Sequence, residues 1–130
     1  MEKRVRILLV DDNKNFCETI ADVLTIEGFD MFLAYNGEEA IKKAQEVSPD
    51  LIVIDVMMPG MNGFELCENV RSDIELKNLP VIMMTGYDSK DNKLKSYYSG
   101  TSAYLVKPFN VKDLIVKIRE LLEPEEKDQN

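Results

Sequence analysis

The chain contains no histidine among its 130 residues. This absence excludes catalytic triads built on histidine, the common zinc sites and any phosphohistidine carried by the chain itself. Only two cysteines are present, Cys17 and Cys67, and both fall in helical patterns far apart in the sequence. We therefore expect two reduced thiols, and neither a disulfide nor a cysteine metal site.

The sequence also lacks a long apolar run and an excess of positive charge. No segment approaches the roughly 20 apolar residues that cross a bilayer, and the first residues lack the apolar core of a signal peptide. We therefore expect a cytoplasmic protein without membrane contact. The net charge of −8 argues against direct nucleic-acid binding, because a phosphate backbone requires a basic surface.

The length and composition favour one soluble globular domain. A hydrophobic content of 45% and a charged content of 31% are ordinary for this class. We place the domain at residues 1–123. Residues 124–130 are polar, and we interpret them as a tail or the start of a linker.

Five short apolar runs alternate with five helical patterns. The predicted strands are residues 5–10, 29–35, 51–55, 80–84 and 103–106. The run before Asp55 is apolar at consecutive positions, which is typical of a strand buried on both faces of a parallel sheet. Asn36 and Asn110 are predicted to cap the helices that follow them. A weaker, charged helix is predicted at residues 89–99, with its few apolar side chains, Leu94, Tyr97 and Tyr98, facing inward.

Strict alternation of strands and helices predicts an α/β fold, namely a doubly wound, flavodoxin-like (βα)5 parallel sheet. The common five-strand solution has the order 2-1-3-4-5, which makes the first and third strands neighbours. Ligands of such sheets bind beyond the carboxyl ends of the strands, where the strand order reverses. Asp11, Asp12 and Asp55 are therefore expected to converge at this edge.

Three neighbouring carboxylates repel one another unless a cation offsets their charge. Mg²⁺ prefers oxygen ligands, so these aspartates predict a magnesium site, with Mn²⁺ as the alternative metal. The structural alternative is that Asp11 or Asp12 caps the first helix, where the helix dipole favours negative charge. A cap accounts for one aspartate but not for a pair that converges with a third.

Two further strand ends carry groups suited to a phosphoryl oxygen. Thr85 follows the fourth strand and offers a hydroxyl, and Lys107 follows the fifth and offers a positive charge. Singly, they would be a turn threonine and a surface lysine. Together with the aspartates they predict a phosphoryl-binding site.

With these residues the chain resembles the receiver domain of two-component response regulators over about residues 4–123. The matching segments are Asp11-Asp12, Asp55 with Met58-Pro59-Gly60-Met61-Asn62-Gly63, Thr85-Gly86, and Tyr104-Leu105-Val106-Lys107-Pro108-Phe109.

The resemblance implies that Asp55 accepts a phosphoryl group and that Asp11 and Asp12 hold Mg²⁺. Asp55 and the backbone carbonyl of Met57 would complete the protein ligands. Lys107 would pair with the phosphoryl oxygens, and its peptide bond to Pro108 is expected to be cis. In the switch, Thr85 would hydrogen-bond a phosphoryl oxygen and Tyr104 would turn inward behind it.

The resemblance also implies the partners. The donor would be a sensor histidine kinase or a histidine phosphotransfer protein, and the last strand and helices would signal to an output domain or effector that the sequence does not name. Phosphorylation-dependent homodimers would form through the same segments. We further hypothesise that Tyr87 overhangs the site and slows attack of water on the phosphoaspartate.

Two other functions remain open from the sequence. A small Mg²⁺-dependent phosphohydrolase would also use Asp55 as its nucleophile, but it needs a second acid or base and usually a lid. An interaction module that works without phosphorylation would keep the fold alone. We expect a phosphoacceptor that promotes its own phosphotransfer and dephosphorylation, and not a multiple-turnover enzyme.

Overall fold

The computed structural model describes residues 3–86 and 90–123, apart from the side chains of residues 96–98. The strands are β1 (Arg6–Val10), β2 (Asp30–Ala34), β3 (Leu51–Asp55), β4 (Val81–Thr85) and β5 (Ala103–Val106). The helices are α1 (Lys14–Ile26), α2 (Gly37–Val47), α3 (Gly63–Ser72), α4 (Lys90–Ser99) and α5 (Val111–Leu122). None of these helices is long and apolar enough to cross a membrane. The hypothesis about Tyr87 concerns a residue outside the described ranges.

The five strands form one parallel sheet in the order β2-β1-β3-β4-β5. This confirms the predicted fold class and strand order. The register places Val10 opposite Ile54 and Asp55 opposite Met84, so the strands end at nearly the same level. The residues that follow β1 and β3 therefore share one edge of the sheet.

Successive strand residues point to opposite faces of the sheet and enter two separate apolar clusters. Along β1, Leu8 and Val10 pack with α2 and α3, whereas Ile7 and Leu9 pack with α1 and α5. All four side chains are fully buried. Helix packing on both faces explains why the central strands are apolar at every position.

Side-chain caps fix where three helices begin. Asn36 accepts a hydrogen bond from the backbone N–H of Glu39 at 2.8 Å, and Asn110 caps α5, as predicted. Asn62 and Glu65 form a reciprocal capping box at the start of α3, with both distances at 2.9 Å. The cap at Asn62 defines the end of the loop that follows β3.

Helix α4 is the least embedded of the helices. Leu94 is 50% exposed, so the prediction that it faces inward is wrong; the predictions for Tyr97 and Tyr98 concern side chains outside the described set. The helix contains four charged residues and few apolar ones, so little apolar surface is available to bury it. Arg71 ties the end of α4 to α3, since its Nε and Nη2 donate to the Gly100 carbonyl at 3.0 and 2.6 Å.

Candidate functional site

Three carboxylates meet at the carboxyl edge of the sheet. Asp11 and Asp12 follow β1, and Asp55 is the last residue of the neighbouring strand β3. One oxygen from each lies within 4.8 Å of the others. Asp11 and Asp55 are buried, at 1% and 5% exposure, whereas Asp12 is exposed. An oxygen-only cluster open on one side fits a hard divalent cation that keeps some of its waters.

The cap of α1 is Asn13 and not one of the aspartates. Asn13 accepts a hydrogen bond from the backbone N–H of Phe16 at 3.0 Å. Asp11 in turn accepts a hydrogen bond through Oδ1 from the backbone N–H of Asn13, also at 3.0 Å. The alternative in which an aspartate caps the helix is therefore wrong for the cap itself, although Asp11 braces the capping residue.

Lys107 lies between the two buried carboxylates. Its Nζ is 2.8 Å from Asp11 Oδ2 and 3.0 Å from Asp55 Oδ1. Its backbone N–H donates to the Thr85 carbonyl at 2.6 Å, which extends the β4–β5 pairing beyond the last residue of β5. Burial lowers the pKa of Lys107, but the hydrogen bonds to Asp11 and Asp55 outweigh this effect and raise it. The ammonium group therefore stays charged.

Asp55 has an unusual affinity for a proton. Burial, followed by the charge of Asp11, raises its pKa from 3.8 to about 6, against the opposing effect of Lys107. Three carboxylates beside one ammonium leave an excess of negative charge at this edge. A bound divalent cation would offset that charge and hold Asp55 ionised.

The loop after β3 lies against the backbone of Asp55 because α3 begins with glycine. A Cβ on Gly63 would stand 2.8 Å from Val56 Cα and still nearer to the carbonyl oxygen of Asp55. Gly63 also donates its N–H to the Val56 carbonyl at 2.9 Å. The side chain of Met57 is 71% exposed. This close packing fixes the backbone that carries Asp55.

Thr85 and Tyr104 lie on the two strands beyond β3. Thr85 is the last residue of β4 and is fully buried. Tyr104, in β5, is half-buried and packs against the apolar cluster under α2 and α3. The Lys107–Pro108 peptide bond is cis.

Sequence reasoning missed an aromatic contact to Lys107. The Lys107 Nζ lies over the ring of Phe16, 4.3 Å from its centroid. That ring meets Phe109 edge-on, with centroids 6.3 Å apart. These side chains, with Ile20 and Pro108, line a cavity of about 360 Å³. The sequence pattern indicated only an apolar helix face at Phe16, since the contact joins residues 91 positions apart.

The comparisons with known proteins agree with this geometry. The family model for the response regulator receiver domain matches residues 7–119. The chain is 41% identical over 118 residues to heme response regulators HssR of Staphylococcus aureus strains Newman and COL. That alignment covers 91% of this chain and 51% of each relative, so the chain spans about half of their length.

Solved structures show the same likeness. The chemotaxis protein CheY4 of Vibrio cholerae superposes with a TM-score of 0.88 at 33% identity, over 92% of this chain and all of that one. A response regulator from Chloroflexus aurantiacus gives a TM-score of 0.88 at 32% identity, over 94% of this chain and all of that one.

Proposed function

The chain belongs to the response regulator receiver domain family of two-component systems, and from this premise we propose that Asp55 is its phosphoacceptor. The observation that supports the proposal most directly is the buried Asp55 carboxylate, which lies 3.0 Å from Lys107 Nζ and beside Asp11 and Asp12. Receiver domains are signalling proteins and not multiple-turnover enzymes. Asp55 therefore acts as a stoichiometric acceptor.

In the reaction, a carboxylate oxygen of Asp55 attacks the phosphorus of a phosphohistidine. The new O–P bond forms as the N–P bond breaks, and the imidazole of the donor leaves and takes up a proton. The donor is a histidine kinase or a histidine phosphotransfer protein, because this chain contains no histidine. Mg²⁺ held by Asp11, Asp12, Asp55 and the Met57 carbonyl would neutralise charge on the phosphoryl oxygens.

Lys107 gives the phosphoryl group a positive partner. Its ammonium group already contacts Asp55 and has only to follow the added phosphoryl oxygens outward. Because the two carboxylates keep it protonated, it can stabilise the charge without a proton transfer. Transfer thus depends on positioning and charge neutralisation.

Signalling would follow from the strands next to Asp55. The Thr85 hydroxyl, at the end of β4, would hydrogen-bond a phosphoryl oxygen, and Tyr104 of β5 would then move further inward. Such a shift would bias the surface of β5 and the last two helices between two states. Helix α4, with little buried apolar surface, fits a movable element. This surface would bind an output domain, an effector or a second copy of the chain.

The test is intact mass after incubation with phosphoramidate, with and without Mg²⁺. We expect one phosphoryl group on the wild type, lost in mild base, and none on Asp55→Asn. The matched control is Asp22→Asn, an exposed aspartate on α1, which should label like the wild type. Labelling of Asp55→Asn, or labelling unaffected by removing Mg²⁺, would contradict the assignment.

The same experiment separates the two other functions. A phosphohydrolase would release many equivalents of phosphate per protein from a phosphate ester, whereas an acceptor releases no more than it took up. An interaction module would bind its partner equally well as wild type and as Asp55→Asn, with or without a beryllofluoride phosphate mimic.

A further inference from the structure

The ammonium group of Lys107 has three distinct neighbours. Asp11 Oδ2 lies at 2.8 Å, Asp55 Oδ1 at 3.0 Å, and the ring centroid of Phe16 at 4.3 Å. An ammonium group has three N–H donors, and the two carboxylates can take two of them. The ring supplies a neutral but electron-rich surface next to the charge.

The ring of Phe16 is held in place from two directions. Its backbone N–H is bound by the Asn13 side chain, and the N–H of Asn13 is bound by Asp11. On the other side, the ring meets Phe109 at an interplanar angle of 85°. The turn that carries the metal-binding carboxylate therefore also carries the ring, and both reach the same ammonium group.

We propose that Phe16 is a positioning residue, whose ring face keeps the Lys107 ammonium directed at Asp55 during phosphoryl transfer. The inference rests on the proposed function. Asp11 is expected to hold the metal as well as Lys107, so a bound cation weakens its attraction for the ammonium. The ring carries no net charge, so neither a cation nor a phosphoryl group competes for it as they do for a carboxylate.

The contact should have a modest and measurable effect. Lys107 is only 25% exposed, and a cation–π contact at such a site changes an equilibrium by roughly two- to fivefold. We expect Phe16→Leu, which keeps an apolar side chain without a ring, to slow phosphorylation by phosphoramidate by this factor at saturating Mg²⁺. Phe16→Tyr keeps the ring face and should restore the wild-type rate.

Loss of packing is the competing explanation, because Phe16 also packs against the apolar cluster between α1, α5 and the sheet. Phe29 provides a matched control. It is buried in the same cluster, and its ring lies under the guanidinium of Arg119, 5.7 Å from the centroid and away from the aspartates. Phe29→Leu should lower the urea midpoint while leaving the phosphorylation rate unchanged.

A second measurement does not depend on phosphorylation. Protons beside the face of an aromatic ring are shielded, so the ε-methylene protons of Lys107 should resonate upfield of those of the other lysines. We expect the shift to disappear in Phe16→Leu and to persist in Phe16→Tyr and Phe29→Leu. Lys107→Ala identifies the resonance.

The outcomes separate the two levels of the argument. Equal rates for wild type and Phe16→Leu, or an equal loss in Phe16→Tyr, would overturn the positioning role. A Lys107 methylene shift that is the same in wild type and Phe16→Leu would overturn it as well. A wild type that takes up no phosphoryl group, yet shows the ring-dependent shift, would refute the proposed function while supporting the contact.

Discussion

Replacing Asp55 by asparagine should stabilise the protein when no metal is present. Asp55 is 5% exposed, and burial together with the charge of Asp11 raises its pKa from 3.8 to about 6. Near neutral pH the carboxyl group is nevertheless ionised in the folded state, at a cost in free energy. Asparagine has nearly the same shape and no charge, so the substitution removes that cost.

The magnitude follows from the pKa difference. A difference of one pH unit corresponds to about 1.4 kcal/mol, so the ionised Asp55 destabilises the fold by at most about 3 kcal/mol. The amide must still be desolvated, and its hydrogen bond to Lys107 is weaker than that of the carboxylate. We therefore expect Asp55→Asn to increase the free energy of unfolding by about 1–3 kcal/mol at pH 7.5.

The pH dependence gives the sign of the effect. Because the folded-state pKa of Asp55 is raised, its contribution to stability is fully present below pH 3.8 and is lost as the pH rises through about 6. The advantage of Asp55→Asn should therefore be largest above pH 6 and should shrink towards pH 5. Excess Mg²⁺ should narrow or reverse it, because the wild type binds the cation more tightly.

The assay is urea unfolding in EDTA at pH 7.5 and at pH 5, repeated with Mg²⁺. The matched control is Asp30→Asn, since Asp30 forms an exposed ion pair with Arg4 at 3.0 Å. Such pairs are worth about 0–1 kcal/mol, so this variant should be no more stable than the wild type. Equal stability of wild type and Asp55→Asn in EDTA at pH 7.5, or a gain unchanged at pH 5, would refute the reasoning.

Three further predictions use other parts of the molecule. Lys107→Ala should abolish detectable labelling by phosphoramidate while the circular dichroism spectrum stays that of the wild type, and labelling at the wild-type rate would contradict its role. Gly63→Ala should lower the free energy of unfolding by about 1–3 kcal/mol in urea and slow labelling, because the new Cβ meets the backbone at Asp55, whereas Gly86→Ala, with open space around its Cβ, should do neither. Burial raises the pKa of the Cys17 thiol to about 12 and also raises that of Cys67, so neither should react with a thiol reagent at pH 8 until urea unfolds the chain; rapid reaction of the folded protein would contradict this.

The sequence predicted most of the fold because local patterns and the global topology agree. Consecutive apolar residues in β1, β3 and β4 require helices on both faces, and strict alternation with helices leaves few ways to connect the strands. The cap at Asn36 was readable from the glutamate three residues later. The gathering of Asp11, Asp12 and Asp55 then followed from strand order alone.

What the sequence missed depends on distances between remote positions. Nothing in the pattern around Phe16 indicates an ammonium group 4.3 Å from its ring, since Lys107 comes from the opposite end of the chain. Leu94 was wrong for a related reason. A mostly charged helix contains too few apolar residues to define which side faces the sheet, and packing decides the side instead.

The arrangement of the site suggests why its instability would persist. A sheet that buries nearly every apolar side chain places two carboxylates, Asp11 and Asp55, at less than one-tenth exposure on neighbouring strands. Lys107 contacts both but cannot neutralise three aspartates. The same excess of negative charge that raises the pKa of Asp55 makes the edge a strong site for a divalent cation. A core optimised for stability alone would not retain it, so the raised pKa is itself an argument that this edge is functional.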